Sequence, residues 1–240
     1  MKIKLTHPLI SCVCITCGRP ESLLKSIICF DTQTYPNKEL VISYPTKDQQ
    51  TKSLIAQIAE LADITIIAVE RNDALTVGMA KNEAILKAKG KYICIWDDDD
   101  WYHEKRIAFQ YNHLKSKARF NEASILTKII LFDGMKQKVY HSFKYNWGGS
   151  LLCRKDILLH HKFQDSNIAE DTQLLKYLQK NNYLHQHEEA SFLYIFHFHG
   201  KNSLDYFHYA YYTRRSELLD KVSLQQVRDL FYAPVDILAT

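Results

Sequence analysis

The chain has 240 residues, 46% of them apolar and 24% charged, with a formal net charge of +4. That size and balance exclude disorder and allow a sizeable core without staples, and so mild a charge calls for neither nucleic acid nor an acidic membrane. No run of about 18 consecutive apolar residues occurs, so no membrane span is expected. The opening Met1-Lys2-Ile3-Lys4-Leu5 lacks the long apolar stretch of a secretory leader.

Leu9 to Ile15 is apolar and rich in β-formers, and reads as a buried strand. It carries the run Cys12, Cys14, Cys17, which admits either a metal or iron–sulfur reading or a strand with small buried hydrophobes. With no fourth ligand nearby the second reading is the better one, and the six cysteines suit a reducing cytoplasm. Pro20 opens a helix, with Leu23, Leu24, Ile27 and Ile28 at helical spacing. A short strand at Leu40 to Ile42, a helix through Leu54, Ile58 and Leu61, and a strand at Ile64 to Val69 follow. Val77 to Ala88 is helical again and Gly90 stops it, before the apolar strand Tyr92 to Trp96. Strands apolar on both faces, alternating with helices, predict a mostly parallel sheet covered on both sides.

Past residue 103 the rhythm changes. Ile107, Tyr111 and Leu114 mark a helix. Ile125 to Phe132, the Asp133-Gly134 turn and Val139 to Phe143 read as a hairpin. Ala169 to Lys180 reads as a helix, Phe192 to Phe198 as a strand, and Ser203 to Lys221 and Ser223 to Tyr232 as closing helices, the second with Ser223 and Gln226 in capping-box positions. No repeat or linker interrupts the chain. The expectation is one domain over 1–240: a nucleotide-binding half at about 1–103, an acceptor half at about 104–203 and C-terminal helices at about 204–240.

The run Asp97-Asp98-Asp99-Asp100 follows directly on a buried strand, where ligands of open α/β sheets gather. Adjacent carboxylates repel, and a divalent cation, which prefers carboxylate oxygen, relieves that cost. A solvated acidic turn is the bland alternative; the apolar strand before it and Trp101 and Tyr102 after it argue against that.

The stretch Gly90 to Tyr102 resembles the acidic D-x-D segment of glycosyltransferase family 2, whose members have the GT-A fold. Further segments resemble the family in the same order: Ile15 to Pro20, Gln33 to Leu40, Gly78 to Ala84, Ala169 to Thr172 and His199 to Ser203. The resemblance implies an inverting, metal-dependent transferase that moves a sugar from a nucleotide diphosphate to a glycan or lipid-linked hydroxyl, in cell-surface polysaccharide biosynthesis. Its implied cofactor is Mn²⁺ or Mg²⁺, which neutralises the leaving diphosphate. Asp97 would face the donor ribose, with Asp98 sharing either task; Asp99 would ligate the metal. His199 stands where some relatives close the metal site, or is a histidine held near a turn. Asp171 would be the general base and Glu170 would bind acceptor hydroxyls or orient it; an acidic helix start is the alternative for both. Thr16, Arg19 and Lys81 would contact the donor, Lys81 as a point charge where relatives carry arginine. Trp147 and Gly149 would form the acceptor wall, with a core tryptophan equally open.

Val41 to Thr46 lacks the acid with which the family reads the base, and Tyr44 stands there as a stacking or a structural residue. The cysteine usage makes a cytoplasmic protein the expectation, and the aromatic–basic stretch Tyr206 to Arg215 offers peripheral membrane contact near a lipid-linked acceptor, with packing on the domain or a partner subunit the better reading. Two other readings remain: a nucleotidyltransferase, against which the first loop's single Gly18 counts, and a non-catalytic scaffold of the same fold.

Overall fold

A strand buried on both faces needs helices on both sides of its sheet, and the computed structural model, which describes residues 7–116 and 122–232, supplies them. The reading of Met1 to Leu5 as lacking a leader lies outside those residues. In chain order the elements are β1 (Ile10–Ile15), α1 (Pro20–Asp31), β2 (Lys38–Pro45), α2 (Gln49–Leu61), β3 (Ile66–Arg71), α3 (Val77–Lys87) and β4 (Tyr92–Ile95). There follow β5 (Trp101–Tyr102), α4 (Arg106–Ser116), β6 (Ala123–Leu126), β7 (Ile130–Asp133), β8 (Lys138–His141), β9 (Leu152–Arg154), α5 (Lys155–His160), α6 (Thr172–Lys180), β10 (Leu184–His187), β11 (Tyr194–Phe198), α7 (Tyr206–Arg214), β12 (Glu217–Leu218) and α8 (Lys221–Tyr232).

The main sheet has seven strands in the order β10-β6-β9-β4-β1-β2-β3. β3, β2, β1 and β4 run parallel in one block, β10 lies parallel to β6, and β9 runs antiparallel between the two. Core side chains fill both faces. Cys12, Cys14, Leu40, Ile42 and Cys94 face Leu23, Ile27 and Phe30 of α1; Val13, Val41, Ile93 and Ile95 face Ala84 and Ile85 of α3. Cys12 and Cys14 are buried while Cys17 is exposed, which bears out the strand reading of the cysteines. A smaller five-stranded sheet, β12-β8-β7-β11-β5, holds the predicted hairpin as β7 and β8.

Three sequence expectations change. The strand Ile125 to Phe132 is two strands in different sheets, because Thr127 turns the chain away by bonding the His187 carbonyl through both its N–H, at 2.7 Å, and its hydroxyl, at 3.0 Å. The helix Ser203 to Lys221 is helical only over Tyr206–Arg214: Asp205 caps its start by accepting from the His208 N–H, and Glu217–Leu218 leaves it to pair with β8. The last helix is capped by the Asp220 carboxylate, which accepts from the Ser223 N–H at 2.8 Å, rather than by Ser223 itself. No helix among the described residues is long and apolar enough to cross a membrane. α7 packs Tyr209 and Tyr212 inward and leaves Phe207 87% exposed.

Candidate active site

The acidic run emerges from β4 at the centre of the main sheet, so its backbone is fixed from several sides. The Trp96 indole donates to the Ser26 carbonyl, and the Asp97 N–H donates to the Tyr102 hydroxyl at 2.7 Å. Beneath it lies Arg106, fully buried, donating to the carbonyls of Ile95 at 2.9 Å and Gly149 at 3.0 Å. That buried cation lies 4.4 Å from the Tyr102 ring centre and brings positive charge close to Asp97.

Each acid then has its own partners. Arg19 grips Asp98 with a fork, Nε at 3.1 Å and Nη2 at 2.6 Å, and reaches Asp99 with Nη1 at 2.5 Å. The Thr16 hydroxyl donates to Asp98 at 2.6 Å. Burial and the Asp99 charge push Asp98 up to about 7, with Arg19 and Thr16 opposing. Asp99 is also buried, but the His199 and Arg19 contacts outweigh that and hold its carboxyl below the usual range. Asp100 turns inward, accepting from the Tyr194 hydroxyl at 2.5 Å and the His197 N–H at 2.8 Å, which places it outside the open part of the site.

His199 Nε2 lies 3.0 Å from Asp99 Oδ2, and Asn202 approaches the same oxygen at 3.5 Å. The Lys201 N–H donates to His199 Nδ1 at 3.3 Å, so the ring proton sits on Nε2 and points at Asp99. A carboxylate facing an imidazole nitrogen is a donor pair that Mn²⁺ accepts, and Mg²⁺ or Mn²⁺ sites on nucleotides take one or two protein ligands and complete their shell with phosphate and water oxygen. Asp99 and His199 therefore fit such an ion, provided the ring proton moves to Nδ1 and the long Lys201 bond gives way.

On the other side of the cleft, α3 carries Lys81, 6% exposed, whose ammonium meets Glu170 at 2.6 Å. Burial alone would lower this amine; Glu170 and then Asp97 outweigh it and hold the charge on. Lys81 is thus paired with Glu170 in this structure. The N-terminus of α3 also ties down the loop before α6: Val77 N–H to Asn167, Gly78 N–H to the Ser166 carbonyl and Thr76 to Asp165. Glu170 and Asp171 precede α6, and Asp171 stands at its N-cap position without making a side-chain cap, so its carboxylate is left for other work.

Gly148 and Gly149 form the turn that joins the two sides. A Cβ on Gly149 would lie 2.7 Å from Asp97 Oδ2, and one on Gly148 would collide with Asp171 Oδ2. Asp97 and Asp171 thus rest against adjacent residues of one turn. Burial, then the Glu170 charge, push Asp171 up to about 6, with Lys81 opposing. Asp171 opens into a groove of about 350 Å³ lined by Thr127, Lys144, Tyr145, Lys176 and Gln186. Because Asp171 is the movable partner in the Gly148 clash, Gly148→Ala should leave Tm nearly unchanged yet lower turnover about 100-fold, the scale of a misplaced reacting group. Steady-state kinetics beside a melting curve checks it; wild-type turnover would mean that the position of Asp171 does not matter.

Trp147 is 7% exposed and packs on Tyr145 and Tyr212, so of its two readings the core one describes it, and Tyr145, 45% exposed, is the aromatic at the groove. Tyr44 is buried as well, its hydroxyl 3.5 Å from Glu70, and is structural. Sequence reasoning missed Arg106, Tyr194 and Arg71, the last a buried cation at the tip of β3 that donates to the Thr16 carbonyl at 2.9 Å. A charged residue at the end of an apolar strand was the available signal for Arg71; nothing local marks Arg106.

Among solved structures, the chain is similar to S. aureus TarS 1-349 in complex with UDP, with a TM-score of 0.63 and 14% identity over 94% of this chain and 70% of that one. It is equally similar to the mannosyltransferase PcManGT from Pyrobaculum calidifontis in complex with GDP-Man and Mn2+, with a TM-score of 0.63 and 14% identity over 95% of this chain and 71% of that one. At such identities the likeness shows the fold, which is GT-A. Two curated relatives are each 30% identical: an uncharacterized glycosyltransferase of Methanocaldococcus jannaschii over 114 residues, and the Escherichia coli UDP-Glc:alpha-D-GlcNAc-diphosphoundecaprenol beta-1,3-glucosyltransferase WfaP over 89. These stretches cover 47% and 37% of this chain and 39% and 34% of the relatives, so the match spans well under half of their length. The profile of the family described as Glycosyl transferase family 2 matches residues 11–158, most of this chain, and the chain belongs to that family.

Proposed function

We propose that the chain is an inverting glycosyltransferase that moves a sugar from a nucleotide diphosphate to a hydroxyl of a glycan or lipid-linked acceptor. The observation that carries it is the Gly148–Gly149 turn, which holds Asp97 of the acidic run against Gly149 and Asp171 of the groove against Gly148. Arg19 and Thr16 orient Asp98 toward the donor, and Arg71 backs the loop that carries them. Asp99 and His199 would hold Mn²⁺ or Mg²⁺, which when bound supplies positive charge to the leaving diphosphate. The acceptor hydroxyl lies in the groove, its oxygen attacks the anomeric carbon, and the bond from that carbon to the diphosphate oxygen breaks. Asp171 takes the hydroxyl proton, and a single displacement inverts the configuration. Lys81 holds Glu170 in place beside it. The Escherichia coli relative, named for a diphosphoundecaprenol acceptor and a UDP-Glc donor, supports a lipid-linked acceptor and a uridine donor.

A screen of UDP, GDP and dTDP by thermal shift, with and without Mn²⁺, tests the donor half. A nucleotide at about 100 times its Kd adds about 2.7 kcal/mol, which in a domain of this size raises Tm by about 5–10 °C. One nucleotide should give that shift with Mn²⁺ and much less in EDTA. No shift with any of them, or one indifferent to the metal, would favour a scaffold that has kept the fold without turnover.

A further inference from the structure

We propose that His113, His187 and Glu189 form a second metal site, separate from the donor cleft and suited to a borderline divalent ion, Zn²⁺ foremost. Each residue offers a ligand atom, and the three atoms lie within 4.8 Å of one another. Two donors on a tetrahedral zinc lie roughly 3.4 Å apart given bonds near 2.0–2.1 Å. His187 Nδ1 and Glu189 Oε1 are already at 3.8 Å, and Glu189, 68% exposed, has room to close the remainder.

The hydrogen bonds select the right nitrogens. The Phe109 carbonyl lies 2.8 Å from His113 Nδ1 and can only accept, so Nδ1 carries that proton and Nε2 presents its lone pair. His187 is 1% exposed, and its Nδ1 has no hydrogen-bond partner among the described residues. Its other nitrogen lies 2.9 Å from the Ser124 hydroxyl, which Gln110 holds in turn at 3.2 Å. Metal-bound histidines have this pattern, with one nitrogen on the ion and the other fixed by a neighbour. Burial and the nearby His185 and His113 pull His187 down to about 4, so its ring is neutral at pH 7. An orphaned buried nitrogen is costly, and an ion gives it a partner. Two imidazoles and one carboxylate suit zinc, with water as the fourth ligand, and suit Mg²⁺ poorly.

Such an ion would fasten α4 to β10, the edge strand of the main sheet. The Gln186 side chain, on the opposite face of that strand, and Thr127, which bonds the His187 carbonyl, both line the Asp171 groove. The ion would therefore brace the wall of the acceptor groove from behind.

The test uses the full chain, free of any affinity tag and stripped with chelator, titrated with Zn²⁺ by calorimetry without nucleotide. Co²⁺ serves as a second probe, because its visible bands report tetrahedral coordination. Wild type should bind one Zn²⁺ that excess Mn²⁺ does not displace and that Asp99→Ala retains. His113→Ala should weaken it at least 100-fold and abolish both the Zn²⁺-induced rise in Tm and the tetrahedral Co²⁺ bands. Should His113→Ala fold poorly, Glu189→Gln, at an exposed position, gives the same reading. The site is overturned if wild type binds no Zn²⁺ at micromolar concentration, if the variants bind as wild type does, or if only Asp99→Ala loses the ion.

Discussion

Asp171→Asn should lower kcat by about 10²–10⁴-fold while the donor Kd stays within about twofold, the range that a positioned general base contributes. The substitution keeps the size of the side chain and its place beside Gly148, and removes only the basicity. Pulse calorimetry with the nucleotide and single-turnover kinetics with donor and acceptor separate the two effects. Full turnover in the variant would move the proton to another group. The pH profile sharpens this. A base works only when deprotonated, and Asp171 is pushed up to about 6 by burial and the Glu170 charge, so kcat/KM should climb as pH rises through about 6 and level off above it. Glu170→Gln removes a charge that raises Asp171 and leaves the Lys81 charge uncompensated, so its acid limb should move to lower pH. Lys81→Met removes a charge that lowers Asp171, and its limb should move to higher pH. Opposite displacements of this kind would tie the limb to Asp171; identical profiles in all three proteins would detach it.

The N-terminal half is legible because its signals are local. Strands such as Tyr92 to Ile95 are apolar on both faces, and a helix such as α3 carries its own cap in Thr76, whose hydroxyl accepts from the Met79 N–H. The later half is set by long-range pairing that leaves little trace along the chain. β10 reads Leu-His-Gln-His and was missed, since its histidines owe their burial to α4, and β5 is two residues that pair only because β11 arrives about 90 residues later. The chemistry-bearing residue types were visible, but their partners were not. Lys81 looked like a phosphate ligand because nothing near it in sequence reveals Glu170, 89 positions on. Trp147 stays open between a sugar platform and a core residue in the sequence, because its partner Tyr212 comes from α7.

Asp99→Asn should erase the dependence of nucleotide affinity on Mn²⁺, leaving the affinity in Mn²⁺ equal to that in EDTA, a loss of at least about 100-fold relative to wild type. That exceeds the 10–100-fold typical of removing a group that merely supports a ligand. The amide oxygen can still accept from Arg19 and His199, so the cluster keeps its contacts and the lost quantity is charge. Without the ion these two groups share Asp99 Oδ2, and a metal must compete with both for it. Arg19→Ala frees the carboxylate from one competitor yet removes the fork on Asp98, so it should weaken the nucleotide while the ratio between Mn²⁺ and EDTA affinities stays at least as large as in wild type. Calorimetry on the two variants therefore distinguishes a metal ligand from an electrostatic neighbour. If Asp99→Asn retains the Mn²⁺ ratio of wild type, the ion is held elsewhere and Asp99 serves only to anchor Arg19.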